Sequence, residues 1–260
     1  MKKSLIFVAA AAAALLTGCA GKGQFLADGD LSGSALTMYK YDGSECRMSV
    51  LFSQEQERQL LDALNSLPAK ETTAGGLSGD IYAFSIGTGD GDVSGLWQDG
   101  VWITPDGEQY AVKADIAALT EGLDWEDSNV IPLYALPNIR CLALRDGKWD
   151  TAYLEKTKEP EKSPLTLTIK NAADGIVQAE IANTSDAEDS YGLAFSLEAR
   201  IDGEWYGIPP ENDLCFISIA CIVPAGETVE ETYDFGGFYG DLPEGLYRLR
   251  TEFGSAEFTV

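Results

Sequence analysis

Apolar and polar residues alternate most regularly in the last part of the chain, from residue 165 onwards. Leu165, Leu167 and Ile169, for example, are separated by Thr166 and Thr168. This two-residue period is typical of strands with one buried face, and the Gly, Pro, Asn and Asp residues between the runs indicate turns. The pattern predicts strands at 165–170, 177–181, 193–201, 204–208, 214–222, 228–235, 246–253 and 257–260. Short strands at this spacing predict an all-β sandwich.

Residues 36–154 show a mixture of strand and helix periods instead. Ser53 is the expected N-cap of the main helix, and Pro68 is expected to end it. The apolar stripe of that helix comprises Leu60, Leu61, Leu64 and Leu67. Strands are predicted at 35–41, 46–52, 81–86, 96–97, 101–103, 110–112, 139–144 and 149–153, with a short second helix at 115–120. The region is therefore predicted to be an α+β domain, an antiparallel sheet covered by one main helix.

The first residues have the organisation of a secretory signal peptide. Lys2 and Lys3 precede an apolar stretch at 5–16, which is too short to span a bilayer. The sequence Leu16-Thr17-Gly18-Cys19 resembles the lipobox of bacterial lipoproteins. That resemblance implies diacylglycerol transfer to the thiol of Cys19, cleavage after Gly18 and anchoring by fatty acyl chains such as palmitate. We therefore expect a lipid-anchored protein on the extracytoplasmic face of the cell membrane, with Cys19 as its lipidation site.

Two further segments separate the predicted parts of the chain. Residues 20–35 are rich in Gly, Ala, Ser and Asp, as expected for a tether. Residues 155–164 are charged, contain two prolines and lack an apolar anchor, which predicts a linker between domains. The predicted organisation is a signal peptide at 1–18, a tether at 19–35, the α+β domain at 36–154, the linker at 155–164 and the β-sandwich at 165–260.

Several short motifs of the predicted sandwich are similar to those of one known family. They are Leu165-Thr-Leu-Thr-Ile, Ala182-Asn-Thr-Ser185, Ile201-Asp-Gly-Glu-Trp-Tyr206, Val223-Pro-Ala-Gly226 and Asp241-Leu-Pro-Glu-Gly-Leu-Tyr-Arg248. Together they resemble the bacterial Ig-like domain at the C-terminus of many Firmicutes lipoproteins. The resemblance implies the fold, but no motif in it carries chemistry.

Composition narrows the possible functions. The formal net charge is −24, which repels phosphate backbones and argues against nucleic-acid binding. The chain contains no histidine, so Ser-His-Asp and Cys-His catalytic systems and histidine-containing zinc sites are excluded. No nucleophile elbow, phosphate loop or dinucleotide fingerprint is present. We expect a protein that is not an enzyme and has no catalytic residues, cofactor or metal.

The remaining cysteines allow more than one interpretation. Cys46 and Cys141 fall in the same predicted domain, so a disulfide between them is one possibility, and buried thiols are the other. Cys215 and Cys221 lie in one extended segment and are too far apart to bridge directly unless the chain turns.

Two patterns suggest ligands but have simpler explanations. Residues 28–33 and 90–95 both match the first half of a calcium loop, but Tyr39 and Val101 stand where that loop needs a Glu ligand, so polar turns are the preferred interpretation. Four tryptophans are candidates for a sugar-binding platform, although core packing is their usual role. These are Trp97, Trp102, Trp125 and Trp149.

The sequence thus predicts a non-catalytic envelope protein that binds an unknown protein or cell-wall component. The alternative is a carbohydrate-binding or sensing module that uses exposed tryptophans. A third possibility, a protease-inhibitor-like sandwich, rests only on the general architecture.

Overall fold

The computed structural model describes residues 36–260, except 52, 66, 74, 89–90, 126–128 and 213. These residues divide into two compact units. The first runs to Ile131 and takes in Leu136–Asn138, and the second comprises Pro132–Ala135 and Ile139–Val260. Most of the regular secondary structure in the described part of the chain is β-strand.

The first unit is built on one antiparallel sheet of eight strands. In chain order they are β1 (Leu36–Tyr41), β2 (Cys46–Leu51), β3 (Ala69–Glu71), β4 (Ile81–Thr88), β5 (Gly91–Gln98), β6 (Val101–Ile103), β7 (Gln109–Val112) and β8 (Asn129–Ile131). Across the sheet the order is β3-β7-β6-β5-β4-β1-β2-β8. Two helices accompany the sheet, α1 (Gln54–Asn65) and the single turn α2 (Ile116–Leu119).

Helix α1 begins where its sequence predicts and buries the expected face. The Ser53 Oγ accepts a hydrogen bond from the Gln56 N–H at 3.5 Å, as an N-cap does. Three leucines of the predicted stripe are buried, namely Leu60, Leu61 and Leu64. They belong to the same core as residues from β1 and β4, so the helix packs on one face of the sheet.

The second unit consists of short strands, two single-turn α-helices and two 3₁₀ helices, Leu133–Ala135 and Thr151–Tyr153. Its strands are β9 (Leu144–Arg145), β10 (Lys148–Trp149), β11 (Glu155–Lys156), β12 (Leu165–Ala173), β13 (Ile176–Asn183), β14 (Asp189–Tyr191), β15 (Phe195–Ile201), β16 (Glu204–Gly207), β17 (Cys221–Val223), β18 (Thr228–Asp234), β19 (Leu246–Thr251) and β20 (Ser255–Thr259). The α-helices are α3 (Arg140–Ala143) and α4 (Gly236–Tyr239).

Two of its sheets form a sandwich. One has five strands in the order β11-β16-β15-β19-β20, and the other has three in the order β12-β13-β18. Alternate residues of both sheets meet in one core, among them Val177 of β13, Leu197 of β15 and Leu249 of β19, each fully buried. The predicted β-sandwich is therefore confirmed, and β13 has the predicted alternation of buried and more exposed residues. A separate pair, β14 and β17, lies outside these two sheets.

The boundary between the units differs from the predicted linker at 155–164. Residues 139–154, predicted to belong to the first domain, lie in the second unit instead. The Arg140 guanidinium donates to the Pro209 carbonyl at 2.9 Å, and the Trp149 Nε1–H donates to the Tyr247 hydroxyl at 3.1 Å. The predicted hairpin at 139–153 is only partly present, because its first half contains α3 and only β9 and β10 pair.

The predicted linker itself begins as a strand of the sandwich. Its first two residues form β11, which pairs antiparallel with β16. The Thr157 N–H continues this contact by donating to the Trp205 carbonyl at 3.0 Å. Charge and proline content indicated a linker, but this segment pairs with a sheet edge, where polar side chains are normal.

A buried cluster of ion pairs connects the predicted linker segment to the five-stranded sheet. Glu198 of β15 is 1% exposed and accepts from the Arg248 Nε of β19, whose residue is 3% exposed. The Glu198 Oε1 also accepts from Arg250 at 3.0 Å, and Arg248 donates to Glu159 at 2.9 Å. The Arg248 guanidinium lies 4.5 Å from the Trp205 ring centroid, a cation–π contact. Each buried charge therefore has several partners, which is the condition for keeping it buried.

We predict that Glu198→Gln destabilises the second unit by about 3–5 kcal/mol, since it leaves the Arg248 charge buried without its main partner. The matched control is Glu180→Gln, which removes a half-exposed ion pair with Lys170 in the same unit and should cost less than about 1 kcal/mol. Urea unfolding of each variant measures the difference. Equal losses in the two variants would contradict the importance of the buried cluster.

Candidate functional site

Exposed large apolar side chains are concentrated in one segment of the second unit. Ile217, Ile219 and Ile222 are 67%, 46% and 60% exposed. They lie in the run LCFISIACI at 214–222, which we call the isoleucine segment. Exposed apolar side chains are ordinary when scattered singly, but a contiguous group indicates an interaction surface.

The isoleucine segment is anchored at both ends. Near its start, the ring of Phe216 packs against Phe195 at 5.3 Å and Phe238 at 5.5 Å between centroids. At its end, β17 pairs with β14, with Cys221 opposite Tyr191 and Ser190 opposite Ile222. The isoleucines between these anchors are therefore held on the surface instead of turning into the sandwich core.

The predicted strand at 214–222 is largely wrong. Only Cys221–Val223 forms a strand, and 214–220 has no strand pairing among the described residues. Within 214–220, the backbone hydrogen bond found in the described structure is a tight local one, from the Ile219 N–H to the Ile217 carbonyl at 3.1 Å. The segment has the composition of a strand, but no neighbouring strand of the unit is positioned to pair with it.

Two carboxylates are bonded to residues that neighbour the isoleucine segment. The Glu252 Oε1 accepts from the Gly192 N–H at 2.6 Å, and the Ile219 carbonyl borders the same glycine. On the other side, the Tyr191 hydroxyl donates to Glu231 at 2.9 Å. Burial and this carboxylate raise the pKa of Tyr191 well above its usual range, so the hydroxyl remains a proton donor. The surface next to the isoleucines therefore carries negative charge.

The isoleucines are not recognisable as a site from the sequence, which has no motif there. Its one signal was the absence of alternation, since Ser218 is the single polar residue in LCFISIACI. An unbroken apolar run is ordinarily a strand buried on both faces. Exposure of the run depends on contacts that the local sequence does not contain.

The tryptophans do not form a common platform. Trp102 is 3% exposed and packs on Phe84 with ring centroids 5.2 Å apart. Trp97 and Trp125 are partly buried against the same core. Trp149 belongs to the second unit, where its indole is half-buried. A sugar-binding face made of exposed indoles therefore has no support in this structure.

None of the four cysteines in the described part of the chain forms a disulfide. Cys46 is buried in the first unit, whereas Cys141 belongs to the second. The possible disulfide between them is absent from this structure, and the two residues, predicted to share a domain, belong to different units. Cys215 is exposed and Cys221 half-buried, both within the isoleucine segment.

The calcium-like motifs gain no support. Residues 91–95 of the second motif lie in strand β5, where Asp92 is opposite Gly87, so this part does not form the sharp turn of a calcium loop. The first motif, at 28–33, lies outside the described residues. Within the described residues, no three acidic or thiol side chains are grouped as a metal site requires.

Each unit has a surface cleft. In the first unit, a cleft of about 70 Å³ lies between α1 and the Leu119–Leu123 segment, and it has room for little more than one side chain. In the second unit, a cleft of about 610 Å³ is lined by turns around Gly175 and Gly240 and by the last residues of the chain. Neither contains a grouping of side chains with an evident chemical role.

Cys19, the predicted lipidation site, and the predicted tether lie outside the described residues. Among the residues that are described, no helix is long and apolar enough to cross a membrane.

The two facing sheets of short antiparallel strands define a sandwich of the immunoglobulin type. In agreement, residues 151–260 match the family model of the bacterial Ig-like domain. The chain therefore contains a bacterial Ig-like domain, as the sequence motifs predicted, but the match begins before the predicted start at 165. No curated protein matches the chain.

Proposed function

We propose that this chain is a non-catalytic, lipid-anchored protein of the bacterial cell envelope that binds a partner protein through its Ig-like domain. The observation that carries the proposal is the exposed isoleucine segment, anchored at both ends on a rigid sandwich. Domains of this family are generally non-catalytic, and their surfaces commonly serve binding. A fold by itself does not define a function, so the argument rests on the surface.

The anchoring part of the proposal is supported by the similarity of Leu16-Thr17-Gly18-Cys19 to a lipobox. Two or more acyl chains on Cys19 would hold the protein stably, because a single chain gives only reversible membrane binding. The segment that follows Cys19 would then act as a tether for the folded units.

Cells that produce the protein should incorporate a clickable palmitate analogue into it, and Cys19→Ser should abolish both the label and recovery in the membrane fraction. The matched control is Cys215→Ser, which removes an exposed thiol of the Ig-like unit and should leave the label unchanged. Label that persists in Cys19→Ser would refute the lipid anchor.

Partner binding is tested by photo-crosslinking in the same cells. A benzoylphenylalanine introduced at Ile217 should crosslink the chain to another protein, because this side chain is the most exposed of the segment. The control carries the same group at Val130, which is 58% exposed in the first unit. Identical crosslinking patterns at the two positions would contradict a binding role for the isoleucine segment.

A further inference from the structure

The isoleucine segment can contribute backbone hydrogen bonds to a partner, as well as the apolar contacts of its side chains. Strand β17 has one neighbour, β14, and its other edge is unpaired in the described structure. Residues 214–220 lead directly into that edge and pair with no strand of the described chain. Such an edge readily takes an additional extended chain, which gains backbone hydrogen bonds and places alternate side chains against the apolar surface.

The composition of the segment favours this extended pairing. Isoleucine is enriched in strands and in buried positions, yet Ile217 and Ile219 are exposed and lie outside any strand. Places where local preference and observed structure disagree are often functional, because a stable fold normally satisfies both. The disagreement is resolved if a partner supplies the missing strand.

The charges around the segment limit what that partner can be. Arg200 is the only basic residue between Lys170 and Arg248, a stretch that contains the whole isoleucine segment. Carboxylates of Asp189, Glu231 and Glu252 belong to the segment's neighbours, and among the described residues none of the three forms an ion pair. These three carboxylates make the surroundings of the segment negative, which attracts cations and repels acidic surfaces.

We propose that the isoleucine segment binds an extended segment of a partner protein as an added β-strand, and that this partner segment combines apolar residues with Lys or Arg. The inference rests on the proposed function and specifies its partner. A second copy of the chain would bring a second acidic surface to the same place, and anionic lipid headgroups would be repelled in the same way. Charge complementarity therefore selects a basic polypeptide over both.

The probe is a fluorescent peptide of about nine alternating lysine and valine residues, the length needed to run along 214–222. A glutamate–valine peptide of the same length is the charge control. Each is titrated into the full-length protein in a non-ionic detergent, with fluorescence anisotropy as the readout. The lysine–valine peptide should bind at least about tenfold more tightly than the glutamate–valine peptide, and its affinity should fall as salt is added.

Two variants test whether the peptide binds at the isoleucine segment. Ile217→Lys removes an exposed apolar contact and adds a repelling charge, so it should weaken binding of the lysine–valine peptide about tenfold or more. Val130→Lys makes the same change at a similarly exposed apolar residue of the other unit and should leave the affinity unchanged. Both positions are exposed, so neither variant should unfold the protein.

Each contrary outcome shows which part of the proposal is wrong. Equal affinity for the two peptides, or equal effects of the two variants, overturns the inferred partner chemistry or its position. A dimer in sedimentation experiments that Ile217→Lys abolishes assigns the segment to a second copy, and crosslinking from position 217 to lipid assigns it to the membrane. If position 217 crosslinks to a protein but neither peptide binds, the proposed function survives and this inference does not.

Discussion

The packing of Phe216 against Phe195 and Phe238 decides how the rest of the isoleucine segment is presented. With this ring fixed on the aromatic core and β17 paired to β14, the residues between the two anchors remain on the surface. Full burial of an isoleucine side chain stabilises a protein by roughly 1.5–3 kcal/mol. Because Ile217 is exposed, most of this stabilisation is absent at that position. A partner that covers the segment gains the apolar contact that the fold leaves unused.

A second feature, the charge cluster around Arg248, stabilises the sandwich to which the segment is anchored. Its arginine and Glu198 are almost wholly buried and are surrounded by Arg250, Glu159 and the ring of Trp205. Because this cluster connects β15 and β19 with residues before β12, it makes the region from 155 onwards part of the domain.

The sequence predicts the elements that depend on contacts between nearby residues, or that bury only one of their faces. The alternation in β12 and β13 predicted strands because one face of each meets the core, and Ser53 predicted the start of α1 because a cap is a local contact. The same reasoning failed at 155–160. There the contacts join Glu159 to Arg248, and composition carries no information about a partner so distant in the chain.

The isoleucine segment shows the same limit for the candidate site. An apolar run indicates burial, but whether a neighbouring strand exists to bury it is a property of the topology. The strand order leaves β17 beside β14 alone, and this order is not encoded in residues 214–222 themselves. The local sequence prefers a paired strand, whereas the strand order leaves residues 214–220 unpaired among the described residues. This conflict is the reason for proposing the surface as a site.

Hydrogen exchange at the amides of residues 217–220 tests the central claim most directly, since it reports whether this backbone lacks a strand partner. In the free full-length protein these amides should exchange much faster than those of β13 in the sandwich. Addition of the lysine–valine peptide should slow them at least about tenfold without changing β13. Amides that are already protected in the free protein, or that exchange equally fast with and without the peptide, would contradict the account.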